Sequence, residues 1–159
     1  MPAPIAATPA PCNCQAIRAA ARRVSQFYDQ CLAPSGLRTS QFTILAMLKR
    51  SGPLTINALA DIMVTDRTTL GRNVLPLQRD GLISIEPSAA DRRAKELALT
   101  AKGDKRRRAA AKLWLAAQTR FDAVFGARRA ADLRALLATV VATDFAAADR
   151  AGPSSDSGR

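Results

Sequence analysis

The fold of this chain is decided by residues 55–72, which read TINALADIMVTDRTTLGR. Thr55 can cap a helix, because a threonine hydroxyl can accept a hydrogen bond from an N–H group of the first turn. After an apolar interval, Thr65 or Asp66 can cap a second helix that runs to about Arg79. The residues expected to point inward from the first helix are Ala58, Leu59 and Ile62. The stretch therefore predicts two helices joined by a tight turn.

Two short runs with the two-residue period of a strand follow this stretch. Gly81 supplies a helix stop, and the runs are LISIE at 82–86 and AKELAL at 94–99. Between them lies PSAADRR at 87–93, whose composition is typical of a turn and whose end is basic. The pattern predicts a β-hairpin with arginine at its tip.

Helices are also predicted before and after this segment. Apolar residues recur every three or four positions over about 13–32, and a second helix, capped by Thr39, is expected to be short and to end before Gly52. Thr100 can cap a long helix that reaches about Val124. After Gly126 a last helix is expected, with its apolar stripe at Leu133, Leu136, Leu137, Val140, Val141 and Phe145.

Composition and charge restrict the classes of function. The 159 residues contain 24 Lys and Arg against 13 Asp and Glu, a net charge of +11 that favours a polyanionic partner such as nucleic acid. The chain contains no histidine, which excludes His-based catalytic triads and His-based zinc sites. Three cysteines and the lack of an apolar stretch of about 20 residues indicate a cytoplasmic protein with no membrane segment.

The stretch 55–72 resembles the helix-turn-helix of the MarR family of transcription regulators, and the resemblance continues beyond it. Residues 77–83 (LQRDGLI) match the start of that family's wing, 91–93 (DRR) match its tip, and 97–103 (LALTAKG) match its close. The resemblance implies a mainly α fold: a winged helix-turn-helix with a small β-hairpin wing, plus a helical dimerisation module from the N- and C-terminal helices. It also implies a homodimer on a pseudo-palindromic operator in double-stranded DNA, with no cofactor.

On this basis the chain is expected to divide into four parts. Residues 1–12 form a flexible arm, 13–36 and 104–149 the dimerisation module, 37–103 the DNA-binding module, and 150–159 a disordered tail.

The resemblance assigns the second helix of the helix-turn-helix to the major groove. Its candidate DNA contacts are Arg67, Thr68, Thr69, Arg72 and Asn73, of which Arg72 and Asn73 are expected to read bases. Pro76 departs from the family pattern, and it predicts that the helix kinks or ends early. The candidate wing contacts are Asp91, Arg92 and Arg93, with Arg93 in the minor groove and held by Asp91.

A basic run at the start of the Thr100 helix has two interpretations. It comprises Lys102, Lys105, Arg106, Arg107, Arg108 and Lys112. These side chains either reach phosphates beside the wing or form a solvated face, and a helix N-terminus disfavours cations.

Two kinds of effector remain open. Cys12 and Cys14 lie at the start of the first helix, where the helix dipole favours a reactive thiolate that senses oxidants, although a structural role is the alternative. Two thiolates as a metal site would need ligands from a second subunit, and no metal site is expected. The family's usual effector is a small aromatic acid, and its candidate pocket residues here are Arg22, Tyr28, Arg38, Phe42 and Trp114.

The leading hypothesis is thus a dimeric, effector-responsive DNA-binding regulator that acts as a repressor. The alternative is a protein-interaction scaffold that uses the winged helix without sequence-specific DNA binding. An enzyme is not expected, because the carboxylates are scattered and the sequence lacks a phosphate-binding glycine loop.

Overall fold

The computed structural model describes residues 12–88 and 91–150. The helices are α1 Asn13–Leu32, α2 Thr39–Ser51, α3 Ile56–Ile62, α4 Arg67–Arg79, α5 Ala101–Phe125, α6 Ala127–Ala142 and α7 Phe145–Arg150, with one 3-10 turn at Ala33–Ser35. The strands are β1 Leu54–Thr55, β2 Ile83–Pro87 and β3 Lys95–Leu99. Except for Cys12 and Arg150, the predicted arm and tail lie outside the described residues. The predicted fold class, a mainly helical winged helix-turn-helix, is confirmed.

The three strands form one antiparallel sheet in the order β1-β3-β2. Ile85 and Leu54 both pair with Leu97, from opposite sides of β3. The hairpin was expected, whereas β1 was not, because two residues are too short to show a strand period. This strand ties the chain before α3 to the wing.

One apolar core joins the helix-turn-helix to the wing. Its largest fully buried side chains are Leu32, Ile44, Leu45, Leu59, Leu70, Leu77, Leu82 and Leu97. Because these side chains come from α1 to α4, from β3 and from the residue before β2, the orientation of the wing relative to α4 is set by packing.

Both helix-turn-helix caps occur where the sequence placed them. Thr55 Oγ1 accepts a hydrogen bond from the Ala58 N–H at 3.2 Å, and Asp66 is the N-cap of α4. Ile62, however, is exposed, so its predicted inward position is wrong. It is the last residue of α3, and the chain then leaves the helix through Val64, whose φ of +50° places it in the left-handed region.

The start of α2 also differs from the prediction. Thr39 is the first residue of the helix and Arg38 is its N-cap. The Thr39 N–H donates to Asp29 Oδ1 at 2.7 Å, so a carboxylate of α1 satisfies one of the N–H groups that have no partner within the first turn of α2. Gln41 Oε1 accepts from the Arg38 N–H at 3.0 Å.

Pro76 does not end α4 early, so this part of the prediction is wrong, whereas the kink stays a prediction. The helix continues to Arg79, and the Asp80 N–H donates to the Pro76 carbonyl at 3.0 Å. Leu77, directly after the proline, is buried in the core, and this packing offsets the one missing backbone hydrogen bond.

The start of α5 explains the sequence LTAKG at 99–103. Thr100 Oγ1 accepts from the Gly103 N–H at 3.0 Å, which confirms the predicted cap, and its hydroxyl donates to the Gly81 carbonyl at 2.8 Å. A Cβ on Gly103 would overlap the Leu82 carbonyl. The glycine therefore allows α5 to start directly against the chain that enters the wing.

The predicted last helix is divided in two. Its segment α6 ends at Ala142, Thr143 is extended, and α7 begins at Phe145. Asp144 Oδ1 accepts from the N–H groups of Ala146 and Ala147, so a new cap competes with continuation of the helix.

The chain divides into two compact units, and the boundary in the sequence falls between Ala117 and Gln118, inside α5. The first contains the winged helix-turn-helix. In the second, Ala130 is buried and Arg134 pairs with Asp122 at 3.7 Å. No helix among the described residues is long and apolar enough to cross a membrane.

Candidate nucleic-acid interface

The N-terminus of α4 is fixed by Asp66. One carboxylate oxygen accepts from the Thr69 N–H at 2.8 Å and the other from the Thr69 hydroxyl at 2.7 Å. These two hydrogen bonds, first that of the backbone and then that of the side chain, lower the pKa of Asp66. The carboxylate is therefore ionised at neutral pH and holds the first turn.

Helix α4 has a buried face and an outward face. Leu70, Val74 and Leu77 are buried in the core. The positions on the opposite side are three or four residues apart, and all four are exposed: Thr68, Arg72, Leu75 and Arg79. We call these four residues the outward stripe. Arg67 is exposed beside it, in the first turn.

Several of the candidate DNA-contacting side chains are free to meet a ligand. Among the described residues, no partner forms a hydrogen bond or an ion pair with the side chain of Arg67, Thr68 or Arg72. Arg79 is paired with its neighbour Asp80 at 3.2 Å. The two unpaired arginines leave uncompensated positive charge on the outward side of α4.

Asn73 is placed differently from Arg72. Its amide Oδ1 accepts from the Ser40 hydroxyl at 2.9 Å, and its Nδ2 donates to the Thr69 carbonyl at 3.1 Å. The side chain is half-buried and connects α4 to α2. Sequence reasoning missed this contact, because Ser40 lies 33 residues away and nothing local to α4 indicates it.

The end of the wing is closed by short backbone contacts. The Ser88 N–H donates to the Ala94 carbonyl at 2.8 Å, and the Ala94 N–H donates to the Asp91 carbonyl at 2.9 Å. Asp91 Oδ1 accepts from the Arg93 backbone N–H at 2.9 Å. Asp91 therefore holds Arg93 through its main chain, which leaves the exposed guanidinium group available. Arg92 is exposed as well.

The basic run on α5 separates into structural and available cations. Lys102 Nζ donates to the Asp80 carbonyl at 2.8 Å and Arg106 donates to the Ser35 carbonyl at 3.0 Å. These two side chains bind the ends of α4 and of the 3-10 turn. Lys105 and Lys112 are exposed, with no ion pair to any residue that the structure describes.

Asp104 accounts for the remaining cations of the run. Its carboxylate pairs with Arg107 at 2.8 Å, with Arg108 at 3.6 Å and with Lys49 of α2 at 3.7 Å. The Arg107 hydrogen bond is the largest cause of the lowered pKa of Asp104, and the charges of Arg107, Lys49 and Arg108 add to it. This cluster connects α5 to α2.

The aromatic residues proposed for an effector pocket are largely core residues. Tyr28 and Phe42 are buried, and the rings of Phe42 and Trp114 pack 6.1 Å apart. Arg22 and Arg38 are exposed. The structure thus brings Phe42 and Trp114 together.

The two N-terminal thiols are accessible. Cys12 is the N-cap of α1 without a side-chain cap hydrogen bond, and both Cys12 and Cys14 are exposed and free. Cys31 is half-buried. Within the described ranges, no group of three or more His, Cys, Asp or Glu residues is arranged to hold a metal.

A capped helix with an exposed cationic side, next to an arginine-tipped hairpin, defines a winged helix-turn-helix protein of the nucleic-acid-binding class. A sequence model of the MarR family matches residues 35–94. The M. tuberculosis transcriptional regulator MosR is 36% identical over 84% of this chain and 98% of its own, with a TM-score of 0.70. MosR in complex with DNA is 38% identical over 83% and 98%, also with a TM-score of 0.70.

The transcriptional repressor CouR, bound to a 23-mer DNA duplex, is 27% identical over 82% of this chain and 92% of its own, with a TM-score of 0.74. Among curated proteins, no sequence matches. This chain belongs to the MarR family, and it is a DNA-binding transcription regulator.

Proposed function

We propose that the protein is a homodimeric repressor that binds a pseudo-palindromic operator and releases it in response to an effector. The observation that carries this proposal is the outward side of α4, where Arg72 is exposed and unpaired on a helix fixed by the Asp66 cap. A side chain already held by protein contacts would have to break them before binding DNA. Arg72 has no such contacts among the described residues.

The contacts divide into base reading and positioning. Arg67, Thr68 and Arg72 are the side chains of α4 that we assign to the major groove, with Arg72 suited to the two acceptors of a guanine edge. Thr69 donates its hydroxyl hydrogen to Asp66, and Asn73 is bonded to Ser40 and Thr69, so we assign both to the position of α4.

The wing supplies the second contact. Arg92 and Arg93 are exposed at the end of a narrow hairpin, and arginine is favoured in a minor groove that A·T-rich sequence narrows. Asp91 keeps the Arg93 backbone in place without neutralising its guanidinium group.

The dimer is supported by apolar side chains that the single chain leaves exposed. In α6 and α7 these are Leu136, Leu137, Val141 and Phe145. Large apolar side chains left exposed favour an interface, and a second copy of the chain is the partner that we propose for them.

Repression is supported by one similar protein, the transcriptional repressor CouR, which has been solved bound to a DNA duplex.

The exposed thiols of Cys12 and Cys14 favour thiol oxidation as the effector signal over a buried structural role for these residues. A peroxide would oxidise one thiol to a sulfenic acid and be reduced to water or an alcohol, and the second thiol would form a disulfide with loss of water. Replacing both cysteines by serine should leave DNA binding intact and remove its peroxide sensitivity.

An aromatic acid is the second effector that we consider. Arg22 and Arg38 are exposed and can pair with a carboxylate. Phe42 and Trp114 can offer an apolar surface to the aromatic ring only if their packing opens, because Phe42 is buried. A duplex-binding assay with benzoate-type ligands tests this alternative directly.

The main experiment selects duplexes from a random pool with the purified full chain and measures affinity by fluorescence anisotropy. Arg72→Ala should cost about 1–3 kcal/mol and relax the preference at one position of each half-site. Lys105→Ala should weaken binding to all duplexes alike. It should also reduce the slope of log affinity against log salt concentration by about one unit, if this lysine contacts a phosphate. Failure to enrich any sequence would support the interaction-scaffold alternative.

A further inference from the structure

An aliphatic side chain occupies the outward stripe of α4. Leu75 is 63% exposed, although the other three members of the stripe are polar or cationic. It lies three residues after Arg72 and four before Arg79, so the three side chains project from the same side of the helix. Leu75 therefore lies on the side of α4 that we assign to the major groove, and it has no role in the core.

The surface around Leu75 is shallow and open. It is lined by Arg72, Leu75, Pro76, Gln78 and Arg79. One turn earlier, Gly71 has no side chain, and nothing beyond its chain neighbours and the adjacent backbone of α4 lies within 4 Å of the place that a Cβ would occupy. The edge of the DNA major groove can therefore approach α4 closely at Gly71, and the positive charges of Arg72 and Arg79 attract the DNA polyanion.

The major groove contains one apolar feature, the C5-methyl group of thymine. A leucine between two arginines matches a thymine that lies next to bases or phosphates bound by those arginines. We propose that Leu75 packs against the 5-methyl group of a thymine in each half-site and is a specificity-determining residue. This inference rests on the proposed docking of α4 in the major groove.

Deoxyuridine is the direct probe, because it differs from thymidine by that methyl group alone. In the duplex selected by the full chain, each thymine is replaced in turn, together with its symmetry mate. Replacement of one symmetry-related pair of thymines should weaken binding by the wild-type protein about fourfold for each methyl group removed. This is the loss expected for one buried apolar carbon. Replacement at the other thymines should have little effect.

Two variants assign the effect to Leu75. Leu75→Ala should bind the thymine and deoxyuridine duplexes equally, whereas Leu75→Met, which keeps an apolar side chain, should still prefer thymine. Because Leu75 is exposed, both variants should unfold at the same urea concentration as wild type.

The outcomes separate this inference from the proposed function. The inference is overturned if wild type tolerates deoxyuridine at every position while Arg72→Ala still loses affinity, since α4 would then dock without a methyl contact. It is also overturned if Leu75→Ala keeps the wild-type preference for thymine. A chain that selects no duplex at all contradicts the proposed function itself.

Discussion

At the scale of single residues, two glycines in helices have opposite surroundings. Gly103→Ala places a methyl group against the Leu82 carbonyl, which is backbone and cannot turn aside. We expect a loss of stability of about 1–3 kcal/mol or more, as for other overpacked sites. Gly71→Ala is the matched control, because the space around it is open, and it should gain about 0.4–1 kcal/mol.

Urea unfolding of both variants at one protein concentration measures this difference. Equal midpoints for the two alanine variants would contradict the close approach of α5 to Leu82. The residues LTAKG match a family pattern, and the structure shows the cause for the glycine: the carbonyl that Gly103 faces belongs to Leu82, the residue that leads into the wing.

The exposed positions of α4 could be predicted from the sequence, because helical period and charge are local properties. Arg67, Thr68 and Arg72 are exposed where the pattern placed them. Asn73 has the same local signature as Arg72, but its partner comes from α2. A contact across 33 residues depends on packing, and periodicity within one helix does not contain that information.

At the scale of elements, the cap of α4 should depend on pH. The pKa of Asp66 is lowered in the folded protein, so its contribution to stability is present above the unfolded pKa and is lost as pH falls through the folded one. Asp66→Asn keeps a capping oxygen and removes the charge. Its melting temperature should lie below that of wild type near neutral pH, and the difference should narrow as the pH falls below 3.8, the ordinary aspartate pKa.

Melting curves of both proteins across that range provide the measurement. Asp104 also has a lowered pKa and contributes to the acid sensitivity of wild type and variant alike, so it cancels in the comparison. A difference that is constant from neutral pH to acid would show that the charge of Asp66 does not stabilise the cap.

The position of α4 against α2 should depend on the Ser40–Asn73 hydrogen bond. Asn73→Ala and Ser40→Ala should each weaken binding to all duplexes alike, and the double variant should lose little more than either alone. The expected coupling is about 0.5 kcal/mol or more, as for residues in direct contact. Base preference should stay unchanged, because neither side chain reads a base. If Asn73→Ala instead relaxes the preference at one position, Asn73 is a base-reading residue.

The start of a helix was predicted correctly where a nearby side chain caps it, and it was missed where a different contact fixes the boundary. Thr55, Asp66 and Thr100 act as the sequence indicated. The start of α2 is set by Asp29 of α1, and the division between α6 and α7 by Asp144, which caps the second of them. Tertiary and alternative caps override the apolar period.

At the scale of the whole molecule, the arrangement of helices and wing followed from the sequence because one core serves both. The predicted dimerisation module has the weakest signal, since its apolar stripe would look the same in a buried helix. The structure contributes exposure: Leu136 and Leu137 of α6 are 64% and 39% exposed. Their surface is available to a second chain, which makes the oligomeric state the decisive property at this scale.

We expect a mass of about twice 16.9 kDa in light scattering at micromolar concentration. Leu137→Asp should shift it toward one chain, because an interface that buries a carboxylate without a partner pays a desolvation cost of several kcal/mol. Leu75→Asp is the matched control, since it places the same charge on an exposed leucine of α4 and should leave the mass at two chains.

If the Leu137→Asp variant remains a dimer, while the Leu75→Asp variant loses its affinity for the DNA duplex, the dimer interface lies elsewhere on the chain. Loss of the dimer in Leu137→Asp should also weaken operator binding, because each half-site then has to be bound independently of the other.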